Sequence, residues 1–256
     1  MNTLNNIGII TGCISAITGI ALFVHREYAR RLTLPTPMRL FIIYTLVGAL
    51  SDIVGRILAA VIQNNILQHH IYGLIDFILI IWILSFWTNS RRVSILMQLL
   101  IIPGFATLWL LFKLIGLEGW TDLNSLSIPI RDLGVLFFSL YALSYISKRS
   151  KVEKLYENPY WLICTFIAFF HLTHFLTFFL FFYIASTLNT YVVGLWYIFS
   201  GVNILTNFVY VYAYYLYWKS ETDVIVEPVG SPETTEAITR IQNRIDEHVR
   251  KHKEHE

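Results

Sequence analysis

Seven apolar segments, each long enough to cross a bilayer as a helix, dominate this sequence. They cover about residues 6–24, 37–61, 70–88, 93–115, 126–146, 159–185 and 191–218. A helix needs roughly 20 apolar residues to span the hydrocarbon core. In lipid every backbone N–H and C=O must be paired within the protein, which leaves helices or closed barrels. Barrel strands alternate apolar and polar residues, and these segments do not, so the sequence predicts an all-α, seven-helix membrane bundle over residues 1–218.

The composition agrees with a chain embedded in lipid. Of its 256 residues, 55% are hydrophobic and only 14% are charged, whereas soluble domains carry about 25% charged residues. A soluble bundle of this size would need more polar residues to cover its surface, so we expect an integral, multi-pass membrane protein. Cys13 and Cys164 both lie inside apolar segments, which indicates packing residues and not a disulfide framework.

The charges of the loops orient the predicted helices. Basic residues follow the first, third, fifth and seventh segments: Arg26, Arg30, Arg31, Arg91, Arg92, Lys148, Arg149, Lys151, Lys154 and Lys219. The other three loops, 62–69, 116–125 and 186–190, contain no Lys or Arg. Cytoplasmic loops carry the excess of Lys and Arg in membrane proteins. The N-terminus is therefore predicted to lie outside and the C-terminus in the cytoplasm.

Residues 219–256 form a polar tail that is predicted to be cytoplasmic and to contain a short amphipathic helix from about Ser231. Its apolar residues fall on one stripe at helical spacing: Ile238, Ile241, Ile245 and Val249. The helix is interpreted either as solvated or as a surface for the membrane or a protein partner. The tail is too short for a kinase, cyclase or DNA-binding domain, and we expect no nucleic-acid binding.

Polar side chains lie at membrane depth in four of the predicted helices. They are Asp52, Arg56, Asp76, His171, His174, Asn203 and Asn207. An ionisable group at the centre of a bilayer costs about 2.5–3.5 kcal/mol on insertion scales, so each one needs a reason. With about 1.5 Å of rise per helical residue, these groups fall between the middle of the membrane and its outer side. We expect them to line an outward-facing pocket for a small ligand, lipid or proton.

A structural interpretation of the same groups stays open. Asp52 and Arg56, four residues apart on one helix face, suit a static ion pair, and the two asparagines suit hydrogen bonds between helices. Near the outer ends of their segments, Lys113 and Arg131 would extend to the headgroups, and Asp132 would cap a helix start.

The first segment shows only a face of small residues at helical spacing, which indicates close packing against another helix. Its members are Gly8, Gly12, Ser15 and Gly19.

A zinc site is the most specific enzymatic alternative. His171 and His174 lie one turn apart, and Asp76 is a third candidate ligand at similar depth. The pattern resembles seven-helix zinc hydrolases such as adiponectin-receptor-like proteins and ceramidases, which implies a metal-dependent membrane lipid hydrolase. Those proteins carry a His-x-x-x-His pair in the last span, where this chain has no histidine.

Two further functions follow from the residues at membrane depth. An acid–base set of this kind suits a proton-coupled small-solute transporter. A retinal protein would need a lysine in the last span for its Schiff base, and residues 191–218 contain none. Retinal is therefore not expected as a cofactor.

The stretch from His70 to Phe77, HIYGLIDF, and the aromatic and asparagine face from Trp196 to Tyr214 resemble uncharacterised bacterial seven-helix membrane proteins. The resemblance covers the membrane region, implies the bacterial cytoplasmic membrane and brings no established activity. We expect a membrane sensor, receptor-like protein or accessory subunit that signals to a cytoplasmic or membrane partner through its inner loops and tail. No catalytic residue and no cofactor are assigned.

The predicted topology can be tested by cysteine labelling in intact cells. In Leu117→Cys the new thiol lies in a loop predicted to be outside, and in Ser150→Cys it lies in a loop predicted to be cytoplasmic. A membrane-impermeant maleimide should label the first variant in intact cells and the second only after permeabilisation. Labelling of Ser150→Cys in intact cells would contradict the orientation.

Overall fold

The computed structural model describes residues 2–29, 33–63, 65–88, 90–117, 119, 127–149, 154–185 and 189–219. Within these residues the regular structure is entirely helical, which confirms the all-α prediction. Seven long helices are present: α1 (Asn2–Val24), α2 (Thr36–Val61), α3 (Ile66–Ser85), α4 (Arg91–Leu114), α5 (Ser127–Arg149), α6 (Pro159–Ala185) and α7 (Asn189–Lys219). The predicted tail helix lies outside the described residues.

Six of these helices, α1 to α6, are long and apolar enough to cross a membrane. The chain is therefore an integral, multi-pass membrane protein by the length and composition of its helices. α7 is not among the six. It is 31 residues long. It nevertheless packs along both α1 and α6.

Six helices form a closed ring, and α4 lies outside it. Around the ring, each helix contacts the next in the order α1, α2, α3, α5, α6, α7, and α7 packs back onto α1. α4 packs mainly on α3. Only 17% of the most apolar stretch of α4 is buried within the protein, whereas 33–44% of that stretch is buried in the other five candidate spans. Leu99 and Leu114 are each 73% exposed, so the outer face of α4 is suited to lipid.

α4 changes its helical pitch just before a proline. Residues Met97–Ile101 form a π-helical turn, and Pro103 follows. Proline has no N–H, and its ring clashes with the carbonyl four residues earlier in an ordinary α-helix. The wider turn relieves this clash, since the Ile102 N–H bonds to the Met97 carbonyl five residues back. The same turn lets the Gln98 amide donate to Ser85 Oγ on α3 at 2.7 Å.

One end of the bundle collects the basic groups that were predicted to be cytoplasmic. Arg26 follows α1 and donates from Nη2 to the Tyr217 carbonyl at 2.8 Å, near the C-terminus of α7. The last carbonyls of a helix have no partner within the helix and carry partial negative charge, so Arg26 caps α7. At the same end, Arg39 pairs with Glu27 at 2.7 Å.

The small-residue face of α1 packs against α7, and its pattern predicted close packing against another helix. A Cβ atom at Gly8 would lie 3.6 Å from Asn203 Nδ2, and one at Gly12 would lie 3.7 Å from Asn207 Nδ2. The tightest position is Gly19, where a Cβ atom would lie 3.0 Å from Tyr214 Cζ. The close approach of the two backbones depends on these missing side chains.

A glycine-to-valine pair tests this packing. Gly19→Val should destabilise the protein by about 1–3 kcal/mol through overpacking, in addition to the intrinsic effect of valine in a helix. Gly104→Val on α4 is the matched control, because a Cβ atom there has no neighbour within 4 Å. Thermal unfolding in detergent should show a clear loss for the first variant only. Equal melting temperatures would contradict the close contact between α1 and α7.

Candidate functional site

The centre of the polar region is Asp132 on α5, whose side chain is fully buried. Its Oδ1 lies 2.8 Å from His171 Nδ1, and its Oδ2 lies 2.5 Å from His174 Nδ1, both on α6. Arg131 adds two bonds to Oδ1, from Nε at 3.0 Å and from Nη2 at 2.8 Å. One carboxylate thus holds a guanidinium and two imidazoles, and it joins α5 to α6.

These distances fix which imidazole nitrogen carries hydrogen. A carboxylate can only accept, so Nδ1 of both histidines must donate to Asp132. Arg131 Nη2 also lies 3.1 Å from His174 Nδ1, but two donors cannot bond to each other. In His174 this leaves Nε2 for other partners. Nε2 of His171 is buried without a hydrogen-bond partner among the described residues.

Arg131 extends the network from α5 to α3. Its Nη1 lies 3.7 Å from Oδ2 of Asp76, which is 4% exposed. The approach needs a glycine on α3, because a Cβ atom at Gly73 would lie 3.2 Å from Nη1. We call Asp76, Arg131, Asp132, His171 and His174 the buried charge network.

The structural interpretation of Arg131, Asp132 and Lys113 was wrong. α5 begins at Ser127, so Arg131 and Asp132 lie beyond its first turn and face neighbouring helices instead of headgroups. Lys113 is only 5% exposed. Its Nζ lies 3.2 Å from His70 Nδ1 and donates to the Gly119 carbonyl. Each of these side chains finds a polar partner on a neighbouring segment. It is therefore buried within the protein instead of extending to the headgroups.

A cavity of about 240 Å³ lies next to the buried charge network, and residues of all seven helices line it, including Phe105 and Trp109 of α4. Its polar lining includes Asp52, Asp76, Arg131, His174, Asn203 and Asn207. Its aromatic lining includes Tyr44, Tyr72, Phe105, Trp109, Phe170, Phe178, Phe199 and Tyr210.

A second, more open cavity of about 470 Å³ adjoins the first, since Asp52, His69 and Asn203 line both. It is also lined by Leu4 at the start of α1 and Ala59 near the end of α2. These residues mark the end of the bundle opposite to the Arg26 cap. We call it the predicted outer end, because its loops lack basic residues.

The structure brings five of the seven sequence-predicted pocket residues to the first cavity: Asp52, Asp76, His174, Asn203 and Asn207. Arg56 lines only the second cavity. His171 lies behind the cavity wall, where it contacts Asp132. Depth along each helix could be estimated from the sequence, and the shared depth predicted this grouping.

The ion pair between Asp52 and Arg56 is not formed. No salt bridge joins the two side chains in the described part of the chain. Arg56 is exposed at the second cavity, whereas Asp52 is partly buried beside Gly12 of α1, whose Cβ would lie 3.8 Å from Oδ2. The spacing allows a pair, but the long arginine side chain reaches the open end of the bundle instead.

The three candidate zinc ligands are arranged around protein charges. Both histidine Nδ1 atoms are directed at Asp132, and Arg131 stands between Asp132 and Asp76. Among the residues that the structure describes, no group of three or more His, Cys, Asp or Glu side chains has an arrangement that could hold a metal ion.

Sequence reasoning missed the roles of Arg131 and Asp132 in the network. Their positions near the end of a segment indicated the membrane–water interface. The sequence of one helix does not reveal which side chains of other helices it contacts. The available signal was the pair itself, an adjacent base and acid in an apolar segment. Two histidines at a similar depth follow in the next segment, 39 and 42 residues after Asp132.

Removal of Asp132 tests the buried charge network. Asp132→Ala leaves Arg131 and two imidazoles buried without their shared acceptor, and it should cost about 3–5 kcal/mol of stability. Glu157→Ala is the control, because Glu157 is 47% exposed in its pair with Lys154, and exposed pairs contribute about 0–1 kcal/mol. Thermal unfolding measures both. A similar, small loss in the two variants would show that the network contributes nothing to folding.

No family model, no curated protein and no solved structure matches this chain. The resemblance to bacterial seven-helix membrane proteins therefore stays an expectation. Function has to be inferred from the cavity and the network beside it.

Proposed function

We propose that this chain is a receptor-like membrane sensor or accessory subunit of the bacterial cytoplasmic membrane. It binds a small ligand in its cavity from the outside and signals to a partner on the cytoplasmic side. The observation that carries the proposal is the cavity of about 240 Å³, lined by acidic, basic and amide side chains within an otherwise apolar bundle. Ionisable residues at membrane depth indicate a functional site by default, because their burial is costly.

The proposal includes seven spans, with the N-terminus outside and the C-terminus in the cytoplasm. α7 is the seventh span, since it packs between α1 and α6 like the other members of the ring. The cavity adjoins the open end of the bundle, where the loops carry no Lys or Arg, and the basic loops lie at the opposite end. A ligand would therefore enter from outside the cell.

α7 is the physical connection from the cavity to the cytoplasmic side. It lines the cavity through Asn203, Asn207 and Tyr210 and continues without a break to Lys219, where the polar tail begins. A ligand that shifts α7 relative to α1 would move the start of the tail. The inner loops and residues 219–256 then offer the surface for a partner.

The buried charge network favours proton-coupled transport as the second function. His174 lines the cavity, His171 lies behind it, and Asp132 joins the two imidazoles. Such an arrangement is able to pass a proton from the cavity into the bundle. The zinc hydrolase alternative has less support, because Nδ1 of both candidate histidine ligands already donates to Asp132.

Occlusion of the cavity tests the ligand-binding proposal. Ala49 is 5% exposed and lines the cavity, so Ala49→Phe should fill it. A library of small polar metabolites is screened by thermal shift on purified protein. Compounds that raise the melting temperature of the parent should lose their effect in Ala49→Phe.

The neighbouring variant Leu50→Phe is the matched control, because Leu50 is 52% exposed on the outside of the bundle. Stabilising compounds should act on it as on the parent. Stabilisers that work equally well in Ala49→Phe would place binding elsewhere and overturn the proposal. Uptake of a stabilising compound into proteoliposomes, driven by a pH gradient, would decide for the transporter.

A further inference from the structure

We infer that the cavity is selective for a small organic cation, with the carboxylates of Asp52 and Asp76 as its counter-ions. This inference rests on the proposed function, since it names the ligand class of the same outward-facing site. It follows from which charges around the cavity are already paired and which are not.

The positive charge in the cavity wall is already neutralised. Arg131 gives Nε and Nη2 to the same oxygen of Asp132, at 3.0 and 2.8 Å. These are charge-assisted bonds to a fully buried carboxylate, the stronger class of hydrogen bond. Two of its three nitrogens are thus held by Asp132, and an anionic ligand at Nη1 would lie against the Asp76 carboxylate.

The negative charges that face the cavity are under-paired. Asp76 has a single long ion pair, with Arg131 Nη1 at 3.7 Å, and this distance is beyond that of a hydrogen bond. Asp52 makes no hydrogen bond and no ion pair with any residue that the structure describes. Both line the cavity, and a carboxylate left in this position needs a cation or a donor to offset its desolvation.

The net charge of the groups around the cavity is also negative. The described wall and the network behind it contain the carboxylates of Asp52, Asp76 and Asp132, against the guanidinium of Arg131. The imidazoles of His69, His70 and His174 also line the wall and are counted as neutral. Arg56 lies at the open second cavity, where it is exposed, and Lys113 lies behind His70. The excess of acid in the interior is the feature that a bound cation would balance.

The walls are suited to an ammonium group. Tyr44 and Tyr210 pack edge to face at 6.4 Å, and Phe199 lies 4.9 Å from the His174 ring. Aromatic faces attract ammonium groups by cation–π interaction, more strongly where water is excluded. The amide oxygens of Asn203 and Asn207 are able to accept from an ammonium N–H.

The size of the cavity limits the ligand. About 240 Å³ falls just below the range of about 300–1,000 Å³ that is typical for drug-sized ligands. The ligand class is therefore a small amine or quaternary ammonium compound, not a lipid or a peptide.

Charge-selective labelling of a cavity cysteine tests this inference without knowledge of the natural ligand. Ala49→Cys is combined with Cys13→Ser, so that the new thiol is the reactive one. Two methanethiosulfonate reagents of similar size are added from outside, one ending in a trimethylammonium group and the other in a sulfonate. Leu117→Cys, exposed in a loop at the predicted outer end, corrects for the intrinsic difference between the reagents.

Relative to Leu117→Cys, the cationic reagent should react at the cavity thiol faster than the anionic one by about tenfold or more, as expected for a cleft lined by one sign of charge. Asp52→Asn and Asp76→Asn should each reduce this preference. Asp52→Asn is the safer variant, because its side chain is only partly buried and unpaired. Glu157→Gln, far from the cavity, should leave the preference unchanged.

The two possible failures are distinguishable. Equal rates, or a preference for the anionic reagent, would overturn the cation inference and leave an accessible cavity. Absence of reaction with both reagents at Ala49→Cys, while Leu117→Cys reacts, would show that the cavity is closed from outside. That result would overturn the outward-facing receptor as well. A cation preference that survives both asparagine variants would remove Asp52 and Asp76 as its cause.

Discussion

The carboxylate of Asp132 is the interaction on which the centre of the bundle depends. A charge without solvent in an apolar protein needs partners on neighbouring helices, and Asp132 obtains them from Arg131 on its own helix and from two histidines on α6. Arg131 then carries the network to Asp76 on α3. Directional bonds thus fix the register of α5 and α6, which apolar contacts alone do not specify, and a longer ion pair adds α3. The cavity lies beside this fixed point.

The fold was largely predictable because lipid leaves the chain few options. Backbone pairing within each apolar segment requires helices, so every described helix begins and ends within four residues of its predicted segment. The small-residue face of α1 was equally readable, since Gly8, Gly12 and Gly19 at helical spacing indicate a close neighbour. Which neighbour it was, α7, could not be derived from α1 alone.

The candidate site was predictable only in part, and the errors have one cause. Depth along a helix follows from position in the sequence, and it placed Asp52, Asp76 and His174 at a similar depth. All three line the first cavity. Rotation about the helix axis and the choice of partner depend on packing. The sequence therefore suggested a pair between Asp52 and Arg56 on one helix, whereas the observed ion pairs of the site centre on Arg131 and Asp132, with cross-helix contacts to α3 and α6.

The ring is closed by α1 and α7, and the Arg26 cap joins positions 191 residues apart in the chain. Contacts of such high sequence separation form late, because the entropy of closing the intervening loop must be overcome first. During synthesis the early helices enter the membrane with Asp52 and Asp76 already in place, but the wall that completes the cavity arrives only with α7. Until then the cavity lacks the side that Asn203, Asn207 and Tyr210 provide. Ring closure would therefore act as the maturation step of this protein.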